Sequence, residues 1–152
     1  MKILLVCTGN TCRSPMAEGI LKKISAEDGN NNVQVLSGGL FADSGSRASK
    51  NAVQAAAELG VDISPHISTN VNPEVLKEAD LILAMTSAHK QALLDIYGAE
   101  KNKVYTLSEY IGEDREISDP YGGELMVYRE CANQLYHMLS KAYLKIKAED
   151  LS

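Results

Sequence analysis

An α/β fold, with a four-stranded parallel sheet and helices on both faces, is what this sequence predicts. Three observations lead there. Two short runs, Ile3-Leu4-Leu5-Val6 and Leu81-Ile82-Leu83-Ala84, are apolar at every position, as strands covered on both faces must be. Strand-like and helix-like segments alternate in the order β-α-β-α-α-β-α-β-α, the pattern of parallel strands joined by crossover helices. The chain has 152 residues, a length that suits one domain over residues 1–152, and no linker, repeat or low-complexity tract divides it. The expected strand order is the flavodoxin-like 2-1-3-4 of a three-layer sandwich.

The elements follow in turn. The first strand runs into a polar turn, Cys7-Thr8-Gly9-Asn10-Thr11-Cys12-Arg13. Ser14 is expected to cap the next helix, with Pro15 at its first position, where a missing N–H costs nothing. Met16, Ile20, Leu21 and Ile24 form that helix's buried stripe. Residues 33–36 predict a second strand, broken by Gly38-Gly39. Residues 49–59 are an Ala-rich helix closed by Gly60, and Asn72-Pro73-Glu74 opens a short helix ending at Asp80. After the strand at 81–84, residues 87–97 are helical up to Gly98, and 103–107 form a short strand. Residues 124–147 make a long amphipathic helix with Leu125, Tyr128, Ala132, Leu135 and Leu139 on one face. Ligands of such sheets bind beyond the carboxyl ends of the strands. Segments 7–14, 37–47 and 84–88 leave those ends, and the connection 108–123 is long enough to fold over the same edge.

Composition narrows the function. Lys and Arg total 15 against 20 Asp and Glu, a formal charge of −5, which disfavours a general nucleic-acid binder and leaves room for one local cationic site. Three cysteines, Cys7, Cys12 and Cys131, make no disulfide framework and point to a reducing compartment. The apolar start is only a strand long, and no later segment approaches 18 apolar residues, so neither a signal peptide nor a membrane span is expected. The expectation is a soluble cytoplasmic protein without nucleic-acid or membrane partners.

The first turn carries the chemistry. Cys7 stands directly after a buried strand, with Arg13 six positions on and Ser14 beside it. Five intervening residues suffice to wrap a tetrahedral oxyanion, with inward N–H groups and the positive end of the next helix around it. Gly9 permits close backbone approach, and Arg13 supplies a bidentate fork for phosphate oxygens. The same surroundings, with the Ser14 hydroxyl, favour a thiolate over a thiol, so Cys7 reads as a nucleophile aimed at phosphorus. With three Cys and four Arg, a Cys followed six later by Arg arises by chance about 0.08 times, and the strand before and helix start after sharpen the pattern. A leaving group also needs a proton. Asp119, before Pro120, is a candidate general acid and base. Asp-Pro equally starts turns, and Glu113, Asp114 and Glu116 compete for the role.

The stretch Val6-Cys7-Thr8-Gly9-Asn10-Thr11-Cys12-Arg13-Ser14-Pro15-Met16-Ala17-Glu18 resembles the signature of the low-molecular-weight protein tyrosine phosphatase family. Asp119-Pro120-Tyr121 resembles its late acid loop, and Ser37-Gly38-Gly39 and Ala84-Met85-Thr86 also fit. The resemblance implies a phosphate-binding loop of Thr8, Gly9, Asn10, Thr11, Cys12, Arg13 and Ser14. It implies a phosphocysteine at Cys7, phosphate held by Arg13, and Asp119 as acid and base. Asn10 would order the loop, and Ser14 would steady the thiolate. It further implies phosphorylated proteins as substrates, inorganic phosphate as product and inhibitor, and neither metal nor organic cofactor. Tyrosine-specific members usually carry an aliphatic residue where this chain has Thr11. With Asp119-Pro120-Tyr121-Gly122-Gly123, the chain more closely resembles the bacterial protein arginine phosphatase branch. Thr11 removes an apolar wall from beside a phenyl ring and offers a hydroxyl to a guanidinium. Phosphoarginine is therefore the expected substrate, and phosphotyrosine the alternative.

Other residues read two ways. Cys12 is either a resolving thiol for oxidised Cys7 or a small buried loop residue. Phe41 and Tyr121 are either specificity-determining walls of the cleft or packing residues. Cys131 reads as core, and His66, His89 and His137, lacking ligand spacing, as surface or satisfied residues. A redox arsenate reductase would need further cysteines near 80–90, and none is there. A phosphate-binding module without catalysis is a second rival, and a zinc module on Cys7, Cys12 and Cys131, with too few and too scattered ligands, is a third.

Overall fold

The computed structural model describes residues 1–150. Strands β1 (Lys2–Cys7), β2 (Gln34–Gly39), β3 (Leu81–Ala84) and β4 (Val104–Thr106) form an all-parallel sheet in the order β2-β1-β3-β4, the order the sequence predicts. Helices α1 (Arg13–Glu27), α2 (Lys50–Glu58), α3 (Pro73–Glu78), α4 (Ser87–Asp95), α5 (Leu107–Tyr110) and α6 (Leu125–Asp150) complete it.

The two-residue period of β1 explains its unbroken apolar run. Ile3, Leu5 and Cys7 pack into one buried cluster with Met16, Ile20 and Leu21 of α1, Ala52 and Ala56 of α2, and Leu135 and Leu139 of α6. Leu4 and Val6 pack into the other, with Leu76 of α3, Ile82 of β3 and Leu93 of α4. Each of the Leu, Ile, Val and Met side chains, fully buried, contributes about 1.5–3 kcal/mol. Cys7 is thus the last inward-facing residue of a central strand, paired in register with Gly39. The connection after β1 leads to one face and that after β3 to the other, which opens a crevice between their carboxyl ends.

Caps account for most helix starts. Ser49 accepts from the Ala52 N–H, and Asn72 from the Val75 N–H with Pro73 following. Three local expectations are corrected. Ser14 does not cap α1. That helix begins at Arg13 after Cys12, with no side-chain cap, because the Ser14 hydroxyl is engaged by Cys7 and Asn10 instead. Gly38-Gly39 does not break β2, which runs through both. The glycines serve close packing: a Cβ on Gly38 would lie 2.9 Å from Val71 Cγ1, and one on Gly39 2.6 Å from the Thr8 carbonyl oxygen. Finally, residues 107–110 turn into α5, closed by a capping box between Thr106 and Glu109, rather than extending β4. Among the described residues no helix is long and apolar enough to cross a membrane.

Candidate active site

The turn after β1 is held from outside by its carbonyls. Those of Cys7 and Thr8 accept from the N–H groups of Leu40 and Phe41, each at 3.0 Å. Thr11 accepts from Ser49 at 2.9 Å and Cys12 from Met16 at 3.2 Å. The Asn10 carbonyl oxygen lies 2.9 Å from His66 Nε2. Among the described residues, no group accepts from the N–H of Thr8, Gly9, Asn10, Thr11 or Cys12. Outward carbonyls leave a run of inward donors, the arrangement of an anion-binding nest. Asn10 makes the curve possible: its φ of 56° is the chain's one positive value outside glycine among the described residues, and asparagine tolerates that region better than most residues.

Asn10 also ties the turn together. Wholly buried, its Nδ2 donates to Ser14 Oγ at 2.8 Å and Ser37 Oγ at 3.0 Å, while its Oδ1 accepts from the Thr69 N–H at 2.9 Å. Ser14 Oγ lies 2.9 Å from Cys7 Sγ. With Asn10 donating to it, Ser14 has its own proton to give, and a thiolate is the acceptor at hand. Gly9 is under no comparable constraint, since a Cβ there would meet only Thr11 Oγ1, at 3.6 Å.

Arg13 is 5% exposed. Its Nη1 donates to the Ile117 carbonyl at 2.9 Å, and its Nη2 stands 3.5 Å from Asp119 Oδ2. These contacts orient the guanidinium and leave further N–H donors for an oxyanion. They also bring the late loop over the strand ends, so Asp119 shares a cavity of about 220 Å³ with Cys7, Thr8, Gly9, Thr11, Cys12, Arg13 and Tyr121. The competing acids are employed elsewhere. Glu113 pairs with Lys141, and Glu116 accepts from the Ser87 N–H. Hydrogen bonding holds both carboxyls below their usual range. Neither they nor Asp114 line this cavity.

Thr11 is half-buried, and the contact of its hydroxyl is Cys12 Sγ at 3.9 Å. Tyr121 is 79% exposed and walls the cavity, whereas Phe41, 69% exposed, does not line it. Cys12 Sγ lies 3.4 Å from Ser49 Oγ and 3.7 Å from the buried Tyr128 hydroxyl. Cys131 is buried on α6, and burial pushes its thiol up to about 12. Among the described residues, no three His, Cys, Asp or Glu side chains gather as a metal would require.

A phosphate-sized cradle beside a cysteine, with an arginine fork and a facing carboxyl, can bind a tetrahedral oxyanion and attack its central atom. Comparison with known proteins agrees: the model of the low molecular weight phosphotyrosine protein phosphatases matches residues 2–151. The chain belongs to that family. It is 39% identical to the protein-arginine-phosphatase of Bacillus subtilis, over 98% of this chain and 99% of that protein. It is equally 39% identical to the low molecular weight protein-tyrosine-phosphatase PtpB of Staphylococcus epidermidis, over 95% and 99%. A solved arginine phosphatase, a mutant with a phosphorylated active-site serine, superposes with a TM-score of 0.92 at 39% identity, covering 97% of this chain and 96% of its own.

Within this family frame, some residues at the loop escape the sequence reading. His66 and His89 are satisfied histidines, as expected, yet both are satisfied by the loop itself: His66 at the Asn10 carbonyl, His89 at the Thr8 hydroxyl. Their partners lie 56 and 81 residues away, and no local pattern announces either contact. Gly39 is legible only as a strand-breaker until the loop is seen resting on it.

Proposed function

We propose that this phosphatase acts on phosphorylated protein side chains through a cysteinyl-phosphate, with phosphoarginine preferred. Cys7 Sγ attacks phosphorus and the P–N bond breaks, while Asp119 gives its proton to the departing nitrogen. The nest of N–H groups and Arg13 hold the three phosphoryl oxygens. Asp119, now a carboxylate, takes a proton from water, whose oxygen attacks the phosphocysteine. The S–P bond breaks, phosphate leaves, and Ser14 steadies the returning thiolate.

The observation that supports phosphoarginine is Thr11 on the cavity wall with a hydroxyl bound to nothing stronger than a sulfur at 3.9 Å. Overall likeness is no guide, because the arginine and tyrosine phosphatases stand at the same identity. Both substrates share the phosphoryl group, so discrimination rests on atoms flanking the leaving group: an apolar ring in one, a cationic guanidinium in the other. A hydroxyl at residue 11, with Asp119 across the cavity, suits the cation.

Parallel turnover of phosphoarginine and phosphotyrosine peptides tests this. The wild type should favour phosphoarginine, and Thr11→Ile should lower the phosphoarginine-to-phosphotyrosine ratio by about 5- to 150-fold, the worth of one unpaired polar contact. A wild type that prefers phosphotyrosine, or a ratio unmoved by Thr11→Ile, overturns the arginine assignment while the phosphocysteine route stands.

A further inference from the structure

Thr8 also lines the cavity, and against its hydroxyl sits a histidine that the chemistry above does not use. His89, buried in the first turn of α4, has Nε2 2.8 Å from Thr8 Oγ1 and Nδ1 3.1 Å from Thr86 Oγ1. The ring therefore joins the loop after β1 to the segment after β3. Burial and the Arg13 charge push His89 down to about 4, against the opposite pull of Asp119 and Glu116. At neutral pH it is an uncharged imidazole with one N–H and one lone pair. Two hydroxyls flank it, so one donates to the ring and the other accepts from it.

The contacts of Thr86 favour a proton on Nε2. As the N-cap of α4, its Oγ1 already accepts the His89 backbone N–H at 3.3 Å. The lone pair of Nδ1 is the acceptor within reach of its own proton. In the tautomer with the proton on Nε2, Thr86 donates to Nδ1 and Nε2–H donates to Thr8 Oγ1. Thr8 keeps one lone pair and its proton for the cavity it lines.

We propose that His89 is a positioning residue and that Thr8, oriented by it, is a second reader of the leaving group. The Thr8 hydroxyl accepts an N–H of the departing guanidinium and gives its proton to a phosphoryl oxygen. A phosphoguanidinium offers both partners side by side, whereas a phenyl phosphate offers only the acceptor. Orienting Thr8 therefore matters more for the first. This rests on the arginine reading above and deepens it.

The test is the change in substrate ratio across a small set of His89 variants. Phe fills the space without polar atoms, Asn keeps a group near Thr86 but falls short of Thr8, and Gln places an amide N–H where Nε2–H stood. His89→Phe and His89→Asn should lower the phosphoarginine-to-phosphotyrosine ratio of kcat/KM by about tenfold, the scale of one lost hydrogen bond. His89→Gln should stay within about twofold of the wild type. On a Thr8→Val background, itself lowered to a similar degree, His89→Phe should change the ratio no further. An unmoved ratio in Phe and Asn, a Gln variant as impaired as Asn, or additive losses on Thr8→Val would each overturn the inference. If His89→Phe does not fold, the Asn and Gln pair and Thr8→Val decide alone. Preference of the wild type for phosphotyrosine counts against the arginine reading, while the inference is read from changes in the ratio. A wild type with no phosphoarginine turnover at all overturns both.

Discussion

Two segments meet across the cavity, and they are held in opposite ways. The loop from Cys7 to Ser14 has five carbonyls fixed by donors from Leu40 and Phe41 just after β2, Met16 of α1, Ser49 at the start of α2 and His66, and a buried asparagine bonded at both ends. The segment from Ile117 to Gly123 is anchored at its start, through the Arg13 bond to Ile117 and the Ile117 N–H to Met85, and at the buried Pro120. Between and beyond, Asp119 has a side chain 51% exposed, held by Arg13 at 3.5 Å and the Tyr121 N–H at 3.1 Å. The contrast follows the chemistry. A phosphoryl group has the same shape in every substrate, so its frame can be built rigid and its ordering cost met during folding. What departs from phosphorus varies, and in the proposed reaction it meets the more exposed side.

The largest expected effect lies in the rigid loop. Cys7→Ser should lower turnover by about 10⁴-fold or more, since a hydroxyl is a far weaker nucleophile and a poor leaving group from phosphorus at the second step. Inorganic phosphate should still bind with nearly wild-type affinity, because the N–H nest and Arg13 remain. Calorimetric titration with phosphate checks this. If affinity collapses along with turnover, the loop takes its shape from the sulfur, and the contrast between the two segments fails.

Asp119 probes the other side. Asp119→Asn should slow substrates with poor leaving groups by roughly 10²- to 10⁴-fold, and activated aryl phosphates much less, because they need little protonation. Equal losses on both classes of substrate would move the acid elsewhere. A smaller effect is expected where the loop rests on the sheet. Gly39→Ala pushes a methyl carbon to 2.6 Å from the Thr8 carbonyl oxygen, a backbone atom with no flexible escape. Overpacking of this kind costs about 1–3 kcal/mol, which thermal unfolding would register together with weaker phosphate binding. Unchanged stability would show that the loop yields more easily than its hydrogen bonds imply.

These residues also mark what the sequence made legible. The strand order, the Cys7–Arg13 turn and the late Asp119 were readable because each depends on neighbours in the chain: an apolar run, a fixed spacing, a proline. The frame of the turn was not, because Asn10, His66, His89 and Gly39 act across 27 to 81 residues. Ser14 shows local reasoning overruled. Beside a helix start its hydroxyl reads as a cap, but a sulfur 2.9 Å away competes for it. The short α5 has a local signal, since Thr106 and Glu109 spell a capping box in plain sequence.

The smallest expected effect separates two exposed aromatics that the sequence could not rank. Tyr121 and Phe41 both read as cleft walls or as packing, and both are mostly in solvent. Only Tyr121 lines the cavity with Cys7 and Asp119, while Phe41 touches the loop through its backbone N–H to Thr8. That bond survives any side chain except proline's. Tyr121→Ala should therefore raise KM for phosphopeptides by roughly threefold, through loss of one edge of the wall. Stability should shift by less than about 0.5 kcal/mol, as for exposed positions generally. Phe41→Ala should leave both KM and the unfolding midpoint near wild type. A Phe41→Ala effect as large as that of Tyr121→Ala would place the 37–47 connection in the substrate's path. The more exposed side of the site would then comprise two segments instead of one.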